Sequence, residues 1–507
     1  MASDVVTERE RKYEIPDDAG LPDLDEVPGV VTVSDVDNDE LAAVYYDAAD
    51  LRLANTGITL RRRQGGPDAG WHLKVPAGED TRTEYHAPLG RKNTAGRPPR
   101  ALAGLLGGVL RGENLVPVAT ISTDRRRRTL HGPDGAALAE VTDDRVCARV
   151  PDQSTPPLRW REVEVELAAE ADAAVLDQVQ DTLLRAGLRR SSSSAKLDRV
   201  LPVRPPRPDP MPAKPTAGEA VLAYLRTQVH ALATQDLLAR AGADDAVHQL
   251  RVAIRRLRAT LRVYGRIVDR DATGRIERDL RRLGRALSAA RDLEVLEQRC
   301  VTAVSELPDE LVVGAVRKRL TRHFGPARAD AESAALRALD ADRYFRLRDD
   351  LDSLLADPPL TAKARRRARD ELPKHLRRAY RTVAKRASAS TGDGPEAEIH
   401  RFRKAAKRLR YAAECAEPVG GRPARRIRKR AKALTEPLGR LQDGVVARPV
   451  LRELGLAAHL ANDNGFTYGL LLGQDRAAAP GRLRDAAEAW QRLRARRRDV
   501  TRSWKGR

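Results

Sequence analysis

Two different hydrophobic periods divide this chain. Up to about residue 200, apolar and polar positions alternate in short runs. Eight segments carry that pattern: Thr7–Ile15, Val44–Asp47, Thr59–Arg63, Trp71–Val75, Ala119–Leu130, Ala137–Thr142, Val146–Val150 and Arg161–Leu167. Gly, Pro and Asp stand between them, which predicts short strands joined by turns and, at that number, an antiparallel barrel. Helical spacing in this part is confined to Leu102–Leu110 and Ala173–Ala186. Further on, Ala, Leu, Arg and Glu recur at the helical period almost without interruption, with a break at Leu354–Thr361. Between the two regimes, Leu201–Pro215 holds seven prolines and neither period, the mark of a semi-rigid linker. The predicted fold class is α+β and multidomain: an eight-stranded antiparallel β tunnel barrel over 1–203, a linker over 204–216, and an all-α region over 217–503.

The helical part repeats itself. Val247–Arg258 reads VHQLRVAIRRLR, and Ile399–Arg410, 152 residues later, reads IHRFRKAAKRLR. Leu-Gly-Arg follows each at Leu283–Arg285 and Leu438–Arg440, and then Arg291-Asp292 and Gln442-Asp443. A duplicated four-helix bundle, with copies at about 217–357 and 362–503, is the expectation. On a helix, His248, Arg251, Arg255 and Arg258 fall within an arc of about 80°. Leu250, Ile254, Leu257 and Leu261 form a separate apolar stripe. The second copy does the same with His400, Arg403, Lys407 and Arg410 against Phe402, Ala406, Leu409 and Ala413. Amphipathicity explains the apolar stripes. It does not explain two basic stripes without acids, because like charges stacked at that spacing destabilise a helix. A polyanion lying along them would relieve the repulsion, and the arginine fork matches phosphate oxygens in pairs.

Charge sharpens this division. The 507 residues carry a net charge of +21. Residues 1–210 hold 29 Lys+Arg and 35 Asp+Glu, a net of −6; the remainder holds 64 and 37, a net of +27. The polyanion partner therefore belongs to the helical part. Nucleic acid is disfavoured: aromatics are only 4% of the chain, and no stacking platform or groove-reading motif appears. Three scattered cysteines, no signal peptide and no long apolar run point to a reduced cytoplasmic setting without a membrane anchor. Oligomeric state has no signature here.

These residues resemble a family. The stretch 217–503 is similar to the conserved-histidine α-helical (CHAD) domain, on the paired motifs His248/Arg251/Arg255/Arg258 and His400/Arg403/Lys407/Arg410. The resemblance implies two four-helix bundles whose His, Arg and Lys side chains bind inorganic polyphosphate, and hence an association with polyphosphate granules.

The strand-rich part has its own pattern of charge. Alternation puts Glu8, Glu10 and Lys12 on one strand face, and likewise Arg61 with Arg63, Arg82 with Glu84, Arg125 with Arg127, Glu140 with Asp144, and Glu162, Glu164 and Glu166 together. Inside a barrel, such groups are tolerable only with counter-ions. Carboxylates that hold a divalent cation, and arginines and lysines that hold phosphate oxygens, suit a triphosphate with its metal. Glu8-x-Glu10-x-Lys12 near the N-terminus resembles the signature of the CYTH, or triphosphate tunnel metalloenzyme, superfamily. That resemblance implies Mg²⁺ or Mn²⁺ as cofactor and Glu8, Glu10 and Lys12 as catalytic residues. It further implies Glu8, Glu10, Glu140, Asp144, Glu162 and Glu164 as metal or water-orienting groups, and Lys12, Arg61, Arg63, Lys74, Arg125, Arg127 and Lys196 as triphosphate binders. Which of Glu162, Glu164 and Glu166 touch metal stays open. Of Asp143 and Asp144, the latter is taken as inward because it shares parity with Glu140.

The expected function is metal-dependent hydrolysis of inorganic triphosphate or polyphosphate ends in the tunnel, with polyphosphate held by the helical part. Three other readings stand beside it. One is a non-catalytic polyphosphate-binding protein. Another is a tunnel acting on an organic triphosphate, namely thiamine triphosphate, a nucleoside triphosphate, or ATP cyclised to cyclic AMP. The third is a nucleic-acid-binding protein.

Overall fold

The computed structural model describes residues 4–78, 80–90, 96–151, 155–201, 210–389, 396–501 and 504. Residues 204–209 of the predicted linker lie outside them. Contacts group the chain into two compact units, Met1–Arg207 and Pro208–Arg507.

The first unit runs β1 (Asp4–Glu14), β2 (Thr32–Val33), β3 (Asp37–Asp47), β4 (Thr59–Gln64), β5 (Gly70–Gly78), β6 (Thr81–Ala87), α1 (Arg100–Leu105), α2 (Gly107–Leu110), β7 (Val116–His131), β8 (Ala137–Arg149), β9 (Leu158–Leu167), α3 (Ala174–Arg185), β10 (Arg189–Arg190) and α4 (Leu197–Val200). The order β1-β6-β5-β4-β3-β7-β8-β9, with β9 pairing back to β1, closes an eight-stranded antiparallel barrel; β2 and β10 are short additions. The seam is β1. Its Asp4–Arg9 half pairs with β6, and its Glu10–Glu14 half pairs with β9. Closure leaves no long sheet edge.

Two strands depart from the alternation reading. It does not include β6 among its segments, because the buried positions on one face are the charged Arg82 and Glu84, and only Tyr85 and Ala87 are buried on the other. It also splits β8 at Asp143-Asp144-Arg145, a charge run that reads as a turn. The strand continues because each carboxylate finds a buried partner on its own face. Asp144 meets Arg125 in the lumen, and Asp143 meets Arg161 on the other face.

The barrel has two apolar regions. On its outer face, Tyr13, Leu130, Val141, Val163 and Val165 pack with Val175, Leu176, Val179 and Leu183 of α3. Inside, Ala43, Tyr45, Ala119, Ile121, Val146 and Ala148 cluster with Leu197 and Leu201. The helix α4 thus packs on the apolar part of the lumen and delivers Lys196, its N-cap, into the charged part. At the β4–β5 turn, Gly65 has φ +82°, and a Cβ there would lie 2.0 Å from Glu40 O, so only glycine fits.

The second unit is helical: α5 (Ala217–Arg240), α6 (Ala246–Val263), α7 (Gly274–Ala286), α8 (Ser288–Ser305), α9 (Val316–Leu339), α10 (Asp342–Ala356), α11 (Ala368–Ala389), α12 (Glu396–Leu460), α13 (Phe466–Arg494) and α14 (Arg497–Thr501). A capping box starts α5: Glu219 N–H donates to Thr216 Oγ1 at 3.2 Å, and Thr216 N–H donates to Glu219 Oε2 at 2.7 Å. The long α12 is two helices, broken at Gly421 (φ 51°, ψ −133°). Two cores hold the unit. One joins α5, α6, α7, α10 and α11 to much of α12 and the end of α13. The other joins α8 and α9 to the end of α12 and the start of α13. Both apolar stripes are in the first core: Leu250, Ile254, Leu257 and Leu261 are 0–3% exposed, and Phe402, Ala406, Leu409 and Ala413 are 0–5%. The Tyr264 hydroxyl donates to Ala412 O at 2.8 Å and ties one copy's helix end to the other's. Among the described residues, no helix is long and apolar enough to cross a membrane.

Leu257 has no exposed surface and sits in the core shared by both copies. Leu257→Ala should lower the stability of the helical unit by about 2–5 kcal/mol, measured by denaturant unfolding followed by far-UV circular dichroism.

Candidate active site in the barrel lumen and a basic groove in the helical unit

Register stacks the lumen charges into transverse rows. Lys12 lies opposite Glu164, which lies opposite Thr142 and then Arg127. Glu162 lies opposite Asp144, which lies opposite Arg125. Glu8 lies opposite Arg82, and Glu84 opposite Lys74. Each strand supplies its charge through parity alone, and closure brings the rows together.

The densest contacts surround Lys196. Its Nζ lies 2.8 Å from Asp144 Oδ2, 2.9 Å from Glu162 Oε1 and 2.7 Å from Glu164 Oε1. Arg125 donates twice to Asp144, at 2.8 and 2.7 Å, and once to Glu164 at 2.9 Å. Lys12 pairs with Glu164 and, at 3.1 Å, with Glu10. Burial alone would raise Asp144 and Glu164. Lys196 and Arg125 outweigh it at Asp144, and Lys12, Lys196 and Arg125 outweigh it at Glu164, so both stay ionised and below the usual carboxylate range.

A second network lies around Glu8. Lys74 pairs with Glu8 and, at 3.4 Å, with Glu84; Glu84 also meets His72 Nδ1. Burial, then the hydrogen bond with Glu84, pushes Glu8 up to about 8 against the pull of Lys74. Burial likewise pushes His72 down to about 4, so its ring is neutral.

The candidate residues therefore fall into distinct groups. Asp144, Glu162, Glu164, Lys12, Lys196 and Arg125 meet in one cluster; Glu8 and Lys74 meet in another, with Glu10 linked to Lys12 and, at 3.6 Å, to Arg82. Among the described residues, Arg61 reaches only the Tyr45 hydroxyl, at 3.4 Å. Arg63 pairs with the exposed Asp68, and Arg127 with Asp37, Asp39 and Glu140, away from the cluster. His72 and Glu84 were not among the candidates. Their signal is parity, His72 sharing a face with Lys74 and Glu84 with Arg82.

Among the described residues, Asp144, Glu162 and Glu164 form the one group of acidic ligands placed for a metal, their oxygens within 4.8 Å of one another. Glu8, Glu10 and Glu140 lie outside that group. The donor set is hard oxygen, as Mg²⁺ and Mn²⁺ prefer. Glu162 Oε1 is buried and faces the Lys196 ammonium at 2.9 Å as an ion pair. A buried carboxylate oxygen that already faces a positive charge fits a cation site.

The helical unit carries a different kind of site. A cleft of ≈ 550 Å³ is lined by Arg251, Arg255 and Arg258 of α6, Arg281 and Arg285 of α7, and Lys404, Lys407 and Arg408 of α12, with Glu277 its one lining carboxylate. Arg403 and Arg410 flank Lys407. Among the described residues, Arg255, Arg258, Arg403 and Arg410 each keep a buried Nε without a hydrogen bond. His248 and His400 are not among the lining residues. His400 Nδ1 lies 3.0 Å from Gln442 Oε1. Burial and then Arg291 hold His248 below the usual histidine range. A further pocket, lined by Arg262, Arg266, Arg270, Arg378 and Arg408, shares Arg262 and Arg408 with the cleft.

A charged barrel lumen and a basic helical cleft define a two-domain class of protein. The CYTH domain family matches residues 7–200, and the CHAD domain family matches residues 223–452. The chain belongs to the CYTH–CHAD fusion proteins. CYTH proteins are triphosphate tunnel metalloenzymes that use divalent metals, and some are triphosphatases. Two uncharacterized proteins of Mycobacterium tuberculosis, from strains CDC 1551 and H37Rv, are each 36% identical over 501 residues, 95% of this chain and of theirs. Among solved structures, PptA from Streptomyces chartreusis is similar at 23% identity and TM-score 0.47, over 54% of this chain and 99% of its own. The CHAD domain of the plant Ricinus communis is similar at 24% identity and TM-score 0.46, over 57% of this chain and 95% of its own.

Arg161 holds the outer face beneath the lumen. It forks onto Asp143 at 2.8 Å twice and donates to Ala19 O at 2.6 Å. Arg161→Ala strands a buried carboxylate and should destabilise the barrel unit by about 3 kcal/mol, read as a lowered unfolding midpoint.

Proposed function

We propose that this protein hydrolyses inorganic triphosphate, or the ends of a polyphosphate chain, in the barrel lumen with Mg²⁺ or Mn²⁺, and that the cleft of the helical unit holds inorganic polyphosphate. The observation that carries the first part is the lumen cluster, where Lys196 pairs with Asp144, Glu162 and Glu164, Arg125 with Asp144 and Glu164, and Lys12 with Glu164. A bound divalent cation there supplies Lewis-acid polarisation of a phosphoryl oxygen and acidifies a water. The side chains do the rest. Lys12, Arg125 and Lys196 hold phosphate oxygens and stabilise charge developing on the transferred group. Asp144, Glu162 and Glu164 hold the cation. Glu8, pushed up to about 8 beside Glu84, can keep a proton at neutral pH and hand it over within the lumen.

The second part rests on the excess of arginine and lysine over carboxylate around the cleft. Sequence-independent binding of a polyanion needs that excess and little else. Covalent attachment to the barrel unit raises the local concentration of polymer ends for the lumen.

Purified protein supplied with Mg²⁺ or Mn²⁺ should release phosphate from tripolyphosphate faster than from ATP or thiamine triphosphate. Lys12→Ala should lower tripolyphosphate turnover by about 100-fold and leave polyphosphate binding intact. Arg255→Ala with Lys407→Ala should do the reverse. No turnover of any of the three substrates sinks the enzymatic reading, and equal losses in both variants sink the two-site reading.

Binding in the cleft should also depend on pH. Burial, then Arg403 and Arg255, pushes the Lys407 ammonium down to about 7; Asp443 opposes this and Arg410 adds to it. Below that pH the lysine is charged before ligand arrives, and above it binding must take up a proton. Polyphosphate affinity should therefore fall as pH rises from about 6 to about 8, with proton uptake visible in calorimetry in buffers of different ionisation enthalpy. Lys407→Met should flatten the profile.

A further inference from the structure

The lumen cluster is neutralised by its own side chains. The three carboxylates Asp144, Glu162 and Glu164 share three cations. Lys196 contacts all three acids at 2.7–2.9 Å, Arg125 contacts Asp144 and Glu164, and Lys12 contacts Glu164. Such a set has little affinity for a further cation, because Lys196 Nζ already lies among the ligand oxygens and Arg125 and Lys12 add repulsion at close range. The same three side chains are phosphate-binding groups by chemistry. An arriving anion also has a place to land. Arg61 has no carboxylate within ion-pair distance among the described residues, only the Tyr45 hydroxyl, and its Nε is buried without a hydrogen bond.

We propose that Lys196 is the resident counter-ion of the lumen and that oxyanion and divalent cation bind synergistically by exchange of partners. A phosphate-like oxyanion, landing at Arg61, draws Lys196, Arg125 and Lys12 onto its oxygens. That leaves Asp144, Glu162 and Glu164 to the divalent cation. Each ligand then removes the groups that oppose the other, and linkage makes the effect reciprocal. Lys196 is suited to the swap: it is the N-cap of the four-residue helix α4, and its long stem lets the ammonium move while Leu197 stays buried at 2% exposure. The inference takes its ligands from the function proposed above, but not the turnover.

The test is Mn²⁺ binding to the full chain, read from the electron paramagnetic resonance of free Mn²⁺, in sulfate and in chloride at equal ionic strength. Apparent Mn²⁺ affinity should rise about tenfold in sulfate. Lys196→Met should bind Mn²⁺ about tenfold tighter than the native protein in chloride, with a smaller further gain in sulfate. Circular dichroism checks that the variant is folded; if it is not, the salt comparison on the native protein decides alone. Affinity equal or weaker in sulfate, or no Mn²⁺ binding in either salt, overturns the exchange, as does a folded Lys196→Met that binds no tighter. Synergy without hydrolysis of tripolyphosphate would leave the exchange standing and remove the triphosphatase reading. Hydrolysis without synergy would do the opposite.

Discussion

An ionised carboxylate with no exposed surface cannot persist without a partner, and Asp144 has none of its surface exposed. Much of the barrel is arranged around that constraint. Arg125 comes from the neighbouring strand β7, opposite Asp144 in register, and Lys196 from the cap of α4, which the apolar cluster around Leu197 seats. Asp143, the next residue, is satisfied separately by Arg161 on the other face, so β8 carries two adjacent acids without breaking. The interior is stable as a set of matched charges.

The helical unit answers the opposite problem. Its cleft gathers cations with one lining carboxylate, and several guanidinium Nε groups there have no hydrogen-bond partner among the described residues. Mutual repulsion is tolerated because α6 and α12 are held by the buried stripes on their other faces and by Tyr264 donating to Ala412 O. Apolar burial supplies the stability, and the half-buried basic faces are left poorly compensated. Lys407 registers the strain most clearly, its ammonium pushed down to about 7 by burial and neighbouring arginines.

The two-part architecture, the closed barrel and the paired family signatures were legible in periodicity, repetition and motif. So was the sharing of faces: Glu8 with Glu10 and Lys12, Glu162 with Glu164, Arg251 with Arg255 and Arg258. The strand β6 was hidden because its inward residues are charged, and a hydrophobic period cannot reveal a strand whose interior is ionic. The division of β8 at Asp143-Asp144-Arg145 has the same origin. His72 was not singled out, and Glu84 was paired with Arg82 on one strand face but not made a site candidate, for a related reason: their importance comes from each other, across the β5–β6 pairing, and not from their own neighbours in sequence.

What the sequence determined alone is local: the side-chain period of each segment, the net charge of each part, and the duplication with its basic stripes. Parity within a strand needs only the two-residue repeat of extended backbone. Which acid meets which base was decided by tertiary structure, because those meetings depend on strand register, on closure of β1 against β9, and on where α4 is seated. Hence six acids of like promise in the sequence separate in the fold. Asp144, Glu162 and Glu164 gather around one ammonium, while Glu8, Glu10 and Glu140 each take other partners.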